Sequence, residues 1–400
     1  MKTAAVVAEY NPFHSGHKYQ LEKTRQAGAT HIVAVMSGNF VQRGEPALYH
    51  RSVRAEAAVR GGADLVLELP VTHSLRSAEG FASGGVEILS ALGVCEGLSF
   101  GCEKAEGVLE TAQLLLSAEF PAVLRGYLDS GISFAAARQR ALEELGGDGE
   151  MVARPNNILG VEYCKAILQQ RSRLSILPLQ RGGDYHAQTP EEENPSATSL
   201  RAAEDFLSYV PQETWRCYEN QPRYRRDFGE RAMLARLRAL DEEEFMRVPY
   251  GGEGLWSKVR SACAAGCGIE EILQEAKSKR YTYTRLSRLL LCAYLGVGEE
   301  LLMQRAPYVR LLALSSRGRR LMRTVHKNSG IPVLHPGEHA PQGAFSALEQ
   351  RAELLYDLFC EADGAHAVRQ ERVFAWKIPD KSFFAENGKN TCKSESDVLS

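Results

Sequence analysis

Short apolar runs and amphipathic stretches alternate through the first 180 residues of the chain. Residues 3–9 are apolar and carry β-branched Val6 and Val7, the composition of a buried parallel strand. Asn11-Pro12 ends the run, because proline has no N–H and biases the residue before it away from helix. An amphipathic stretch from Ser15 to Ala27 stops at Gly28, and His31-Ile-Val-Ala-Val-Met36 predicts the next strand. That completes one βαβ unit, whose crossover is expected to be right-handed. The alternation goes on. Arg51–Arg60 reads as helix, Asp64–Leu69 as a strand closed by Pro70, and Ser77–Leu92 as an amphipathic helix. Gly97–Phe100 reads as a strand ending at Gly101, and helices fill 104–170. Leu174–Gln180 is a last strand, ending at Arg181. The class predicted is α/β, a Rossmann-like, doubly wound parallel sheet.

The pattern then changes. Residues 182–195 form a polar loop with two glycines, two prolines and three consecutive glutamates, the composition of a lid or tether. Ser196-Ala-Thr-Ser-Leu-Arg201 starts another helix. From about residue 203 no further parallel strand is evident, and the period is helical over Arg231–Ala239, Gly268–Lys277, Tyr283–Tyr294 and Phe345–Glu361. The expected organisation is a nucleotide-binding catalytic domain over 1–202, a mostly α-helical domain over 203–385 and a flexible tail over 386–400.

Charge and cysteine usage narrow the classes. The formal net charge of −2 conceals basic runs at 277–288 and 315–327, and local patches rather than totals attract phosphate. Of nine cysteines only Cys263 and Cys267 are close, without the paired ligands of a zinc site, so no protein-held metal is expected. An odd number of cysteines and a first strand that starts at once suggest reduced thiols and a cytoplasmic address. No apolar run approaches a membrane span.

The unusual residues fall at strand ends: Asn11 to His17, Ser37-Gly38-Asn39, Pro70, Gly101 and Arg181. Ligands of doubly wound sheets bind there, so one pocket is predicted, holding a nucleoside triphosphate. His14 and His17, three apart, share a helix face, and Gly16 lets a nucleotide approach the backbone. Two imidazoles beside a helix N-terminus suit phosphate oxygens that gain charge in a transition state; the plainer reading is a capped helix start. Ser196, Thr198 and Arg201 combine hydroxyls at an N-cap with a cation one turn in, suited to β and γ phosphates. Of Asn156 and Asn157, one caps the following helix and the other is placed to reach a ligand. Arg181 reads as a phosphate or base contact and Gly101 as a place of close approach to adenine. The stretch from Ser37 to Gly44 reads equally as a substrate loop or a plain turn. In the basic runs, Lys279, Arg280, Arg285 and Arg288 stand among tyrosines, and Arg317, Arg319 and Arg320 follow. Together they point to an RNA backbone.

In combination these stretches resemble the HIGH-motif nucleotidyltransferase superfamily and, more closely, the tRNA(Met) cytidine acetate ligases. The resemblance rests on Ala8-Glu-Tyr-Asn-Pro-Phe-His-Ser-Gly-His-Lys18, Met36-Ser-Gly-Asn-Phe-Val-Gln-Arg-Gly-Glu-Pro46, Arg154-Pro-Asn-Asn-Ile-Leu-Gly160, Ser196-Ala-Thr-Ser-Leu-Arg201 and Lys279-Arg-Tyr-Thr-Tyr-Thr-Arg285. It implies ATP-dependent activation of acetate to acetyl-adenylate, then acetyl transfer to N4 of the wobble cytidine of elongator tRNA(Met). Carried over by position, the ATP site comprises Val7, Ala8, Glu9, Tyr10, Asn11, Pro12, Phe13, His14, Ser15, Gly16, His17, Lys18, Tyr19 and Gln20. Gly101, one of Asn156 and Asn157, and Arg181 complete it. His14 and His17, with Lys18, would act on the phosphoryl transition state, and Mg²⁺ is expected with the nucleotide.

The chemistry fits that division. Acetate is a poor acyl donor, and adenylation gives its carbonyl carbon a good leaving group. Aminolysis by a weakly nucleophilic cytidine amine needs the base splayed from its stack, which gives a basic helical half a purpose. Two other readings remain: an adenylyltransferase for a small metabolite, and a noncatalytic RNA-binding protein on the same scaffold.

Overall fold

The computed structural model describes residues 2–180, 200–201, 206–278 and 280–361. The readings placed on Arg181, the polar loop 182–195, Ser196, Thr198, Lys279 and the tail lie outside these residues. Nine strands are described: β1 (Thr3–Ala8), β2 (His31–Ser37), β3 (Phe40–Val41), β4 (Glu45–Pro46), β5 (Leu65–Leu69), β6 (Gly97–Cys102), β7 (Ser175–Gln180), β8 (Val309–Leu314) and β9 (Val333–Leu334). Seven of them form one sheet in the order β7-β6-β1-β2-β5-β8-β9, while β3 and β4 make a separate antiparallel hairpin.

Strict alternation along the strands covers both faces of the sheet. On β2, Ile32, Ala34 and Met36 enter one core, with Leu21 of the helix Ser15–Gln26 and Ala55, Ala57 and Ala58 of the helix Arg51–Arg60. Val33 and Val35 enter the other, under the helices Ala78–Ala91, Val108–Leu115 and Pro155–Gln169. A sheet buried on both sides explains the continuous apolar runs. The five strands β7, β6, β1, β2 and β5 are mutually parallel, as the sequence predicts. From β1 the chain winds to β2 and β5 on one side, and β6 with β7 lie on the other. The switch point is therefore between β1 and β6, and a ligand crevice is expected beyond their carboxyl ends.

Two corrections concern the second half. After residue 203 the chain returns to the sheet: β8 pairs antiparallel with β5, and β9 runs parallel to β8. The segment Val-Arg-Leu-Leu-Ala-Leu has no alternation of its own, and its partner strand lies far back in the sequence. Residues 316–328 then form a helix whose Leu321, Met322 and Val325 join the sheet core. The second basic run thus belongs to the sheet and not to the helical core. That helical core is built from the helices Arg226–Ala239, Leu255–Ala265, Ile269–Ala276 and Tyr283–Leu295, closed by Leu348, Tyr356 and Phe359. Phe40 and Val71, from beyond the ends of β2 and β5, pack into it as well. The helical part therefore sits on the same pole of the sheet as the carboxyl ends of the strands.

Candidate active site

At the end of β1 the backbone makes an abrupt turn. Tyr10 adopts a left-handed conformation (φ 47°) and the Asn11-Pro12 peptide is cis. The turn is fastened from three sides. Asn11 Oδ1 accepts Leu48 N–H at 2.7 Å, Phe13 N–H donates to Tyr218 Oη at 3.0 Å, and Arg201 Nη1 donates to Asn11 O at 3.2 Å. Arg201, expected beside the histidines, is brought to the motif. Tyr218 was not legible in the sequence, because it recognises a main-chain N–H from across the molecule.

The histidines open the helix as a reciprocal capping box, in place of the usual Ser and Glu. His14 Nδ1 accepts Gly16 N–H at 3.1 Å, and His17 Nδ1 accepts His14 N–H at 3.2 Å. The two rings lie 3.8 Å apart at their centroids, tilted by 34°, and Tyr10 packs edge-on against His17. Capping is real here, and it has a chemical consequence. A neutral imidazole that accepts at Nδ1 carries its proton on Nε2, so both rings are set as Nε2–H donors at the switch point. Three buried polar atoms nearby have no hydrogen-bond partner among the described residues: Asn11 Nδ2, Ser15 Oγ and Ser37 Oγ. Such atoms are costly unless a ligand or water satisfies them, which fits a polar ligand at this pole.

The rest of the motif is distributed around this centre. Gln20 Nε2 donates to Ser99 O of β6 at 3.1 Å, tying the first helix to the strand that carries Gly101. Val7 and Ala8 end β1, Tyr19 is exposed, and Lys18 pairs with Glu213 Oε1 at 2.6 Å. Glu9 Oε1 accepts Gln42 N–H at 2.8 Å, so the β3–β4 hairpin is latched to the end of β1. The stretch from Ser37 to Gly44 is therefore more than a plain turn: it holds the hairpin against the end of β1.

The asparagines differ. Asn157 is buried, and its Oδ1 accepts the N–H groups of Glu103 and Lys104 at 2.9 and 3.1 Å, holding the chain that leaves β6. Glu103 in turn caps the helix Pro155–Gln169, accepting Asn157 N–H at 2.8 Å and Asn156 Nδ2–H at 2.7 Å. Glu103 is the partner of both asparagines and was missed from sequence; an acidic residue just past a strand end was its only signal.

The basic runs separate. The helix Tyr283–Leu295 packs its start against the hairpin: Ser287 Oγ donates to Gly44 O at 2.9 Å and Arg288 Nη1 to Gln42 O at 3.2 Å. Arg288 is buried, so its assignment as an RNA contact is corrected: its guanidinium faces Gln42 and the Tyr250 ring. Arg285 donates twice to Tyr250 O and stacks over Tyr281, while Arg280 is exposed. Arg317 is held by buried Asp64 at 2.9 Å, just before β5. Burial lowers the His31 pKa at the start of β2, and the nearby Arg317, Arg25 and Arg320 charges act the same way against Asp64. The run at 315–327 thus begins at the amino ends of the strands, opposite the histidines.

Over residues 1–371 the chain matches the HIGH nucleotidyl transferase family, the class that a switch point with paired histidines defines. It is 35% identical over 384 residues to the tRNA(Met) cytidine acetate ligase of Anoxybacillus flavithermus, covering 89% of this chain and 94% of the relative. The ligase of Alkaliphilus metalliredigens is 34% identical over 400 residues, covering 90% and 94%. The crystal structure of Thermotoga maritima TmcAL in its apo form superposes with a TM-score of 0.83 at 29% identity, covering 90% of this chain and 96% of that one. A second structure of that protein, bound with alpha-thio ATP, superposes with a TM-score of 0.81. The chain belongs to the tRNA(Met) cytidine acetate ligase family.

Proposed function

We infer that the protein is an ATP-dependent ligase that forms acetyl-adenylate and passes the acetyl group to N4 of the wobble cytidine of elongator tRNA(Met), in the cytoplasm. The observation that carries this reading is the reciprocal capping of His14 and His17, which sets two Nε2–H donors at the β1–β6 switch point. An acetate oxygen attacks the α-phosphorus, the bond to the pyrophosphate oxygen breaks, and the two imidazoles donate to phosphate oxygens as charge builds there. Arg201 lies one bond away from the same turn and serves the leaving phosphates. Asn157 Oδ1 holds the chain after β6 and Asn156 Nδ2 is bonded to Glu103, and one of the two asparagines is assigned to the nucleotide. In the second step the cytidine amine attacks the acetyl carbonyl carbon and AMP leaves with its electron pair.

Among the described residues no group of three or more histidine, cysteine or acidic side chains is placed to hold a metal ion. A magnesium ion would enter with the nucleotide, held by phosphate oxygens and water. No helix among the described residues is long and apolar enough to cross a membrane. The tRNA is assigned to the pole of the strands' carboxyl ends, where exposed Arg280, paired with Glu253 at 2.7 Å, and Arg285 both lie against the Tyr281 ring at the start of the helix that meets the hairpin. Arg319 and Arg320 at the other pole are left a secondary contact.

The test is transfer of radiolabelled acetate to purified tRNA(Met) with ATP, followed by nuclease digestion. Label recovered as N4-acetylcytidine is expected. Label that reaches no RNA while pyrophosphate is still released would favour an adenylyltransferase for a small metabolite.

A further inference from the structure

Arg54 is fully buried, with 0% of its surface exposed, on the helix Arg51–Arg60. Its guanidinium donates to Tyr49 O at 2.8 Å, Glu9 O at 2.6 Å and Ser37 O at 3.1 Å, and also to Gly38 O. All of these bonds end on main-chain carbonyls. Arg51, one turn earlier on the same helix, behaves differently: Glu68 and Glu353 pair with it at 3.1 and 2.6 Å. Burying a charge without a bonded carboxylate is expensive, and burial does lower the Arg54 pKa. A helix-to-sheet contact alone does not require that cost, since the neighbouring Ala55, Ala57 and Ala58 pack the same face.

The carbonyls Arg54 collects are informative. Glu9 follows β1, Ser37 ends β2 and Gly38 follows it. Left alone, these oxygens would present negative partial charge at the pole where a triphosphate has to sit. We propose that Arg54 is a positioning residue for the triphosphate, turning the strand-end carbonyls onto itself and supplying a fixed positive charge beneath the phosphates. The proposal rests on the ATP reading above. In a low-dielectric setting a fixed charge acts over several ångströms without touching its ligand. Its effect therefore scales with the ligand's charge, whereas a purely structural role does not discriminate between nucleotides.

The experiment measures the affinities of ATP, ADP and AMP by calorimetry for the wild type, Arg54→Met and Arg54→Lys. For Arg54→Met the expected loss is tenfold or more for ATP, less for ADP and within about twofold for AMP. Arg54→Lys keeps the charge and reaches fewer carbonyls, so it is expected to keep the wild-type ratio of ATP to AMP affinity. If Arg54→Met does not fold, as circular dichroism would report, Arg54→Gln, which also removes the charge and can still donate to a carbonyl, takes its place. Equal losses for all three nucleotides in the folded charge-removing variant, or an ATP to AMP ratio that falls in Arg54→Lys, would overturn the proposal and leave Arg54 a packing residue. Failure of the wild type to prefer ATP over AMP would instead count against the ATP reading itself.

Discussion

Gly44 and Ser287 meet where the catalytic sheet and the helical core touch. The Gly44 carbonyl accepts Ser287 Oγ at 2.9 Å, with the glycine backbone at φ 77°. A Cβ on Gly44 would lie 2.5 Å from Arg288 N and 2.6 Å from the Ser287 carbonyl carbon. Arg226 closes the joint, donating to Ser287 Oγ at 2.6 Å and to Glu45 Oε1 at 3.3 Å. The same turn is latched to Glu9 through Gln42 N–H, two residues before Gly44, so one short element links the helical core to the nucleotide motif.

Gly44→Ala is therefore a severe change. The neighbours are backbone atoms that cannot rotate aside, and left-handed backbone adds its own cost of about 1–2 kcal/mol. Denaturant unfolding is expected to show destabilisation beyond that figure. Where protein folds, acetyl transfer to tRNA is expected to fall further than acetate-dependent ATP–pyrophosphate exchange. Equal losses in both assays would show that the hairpin does not join the two halves of the reaction.

His17→Ala removes one donor and also the acceptor that holds His14 N–H. Loss of one such donor costs about 10²–10³ in rate in comparable sites. Exchange is expected to fall by that order while tRNA affinity, read by filter binding, stays near wild type. A variant that exchanges normally would reduce the histidine pair to a helix cap.

Glu349 and Glu353, one turn apart on the helix Ala344–Tyr356, titrate in opposite senses. Burial and the charge of Glu68 raise Glu349 to about 8, against the Val71 N–H that it accepts. Burial would also raise Glu353, but Arg51 and His50 overcome it and hold the group at about 2. The folded state thus binds the Glu349 proton more tightly than the unfolded chain. Its stabilising contribution is complete below the unfolded carboxylate range and is lost as pH rises from there through about 8. For Glu353 the contribution is present above the unfolded range and lost as pH falls towards 2. Melting temperatures across pH are expected to show Glu349→Gln gaining on the wild type as pH rises. Glu353→Gln is expected to lose most at neutral pH and to converge with the wild type in acid. Parallel curves for either variant would refute its assigned shift.

The separation of the basic runs is measurable through salt. Arg280→Ala is expected to weaken tRNA binding several-fold and to lower the slope of log affinity against log salt by about one contact's worth. Arg320→Ala, on the far pole beside His31, is expected to stay within about twofold. The reverse order would place the RNA on the other pole.

The five parallel strands and the His14–His17 motif were legible because their signals are local: β-branched runs, glycine and proline breaks, and a polar motif after an apolar strand. β8 was not, since Val309–Leu314 becomes a strand only by pairing with β5. β3 and β4 are two residues each, too short for any period to show. Arg54, Tyr218 and Glu103 share one reason for escaping notice: their partners include main-chain groups distant in sequence, which leave no trace in side-chain pattern. Arg288 misled in the opposite direction. A cation in a basic run reads as solvated, and only packing against Tyr250 and Gln42 shows it buried.

The most direct test of the central claim is ATP–pyrophosphate exchange without tRNA, with and without acetate, followed by addition of tRNA to the isolated enzyme–adenylate complex. Exchange that requires acetate, and labelled acetyl that moves to tRNA on its addition, are expected if the histidine pair makes an adenylate for an RNA acceptor. Exchange indifferent to acetate, or a complex that keeps its label in the presence of tRNA, would contradict it.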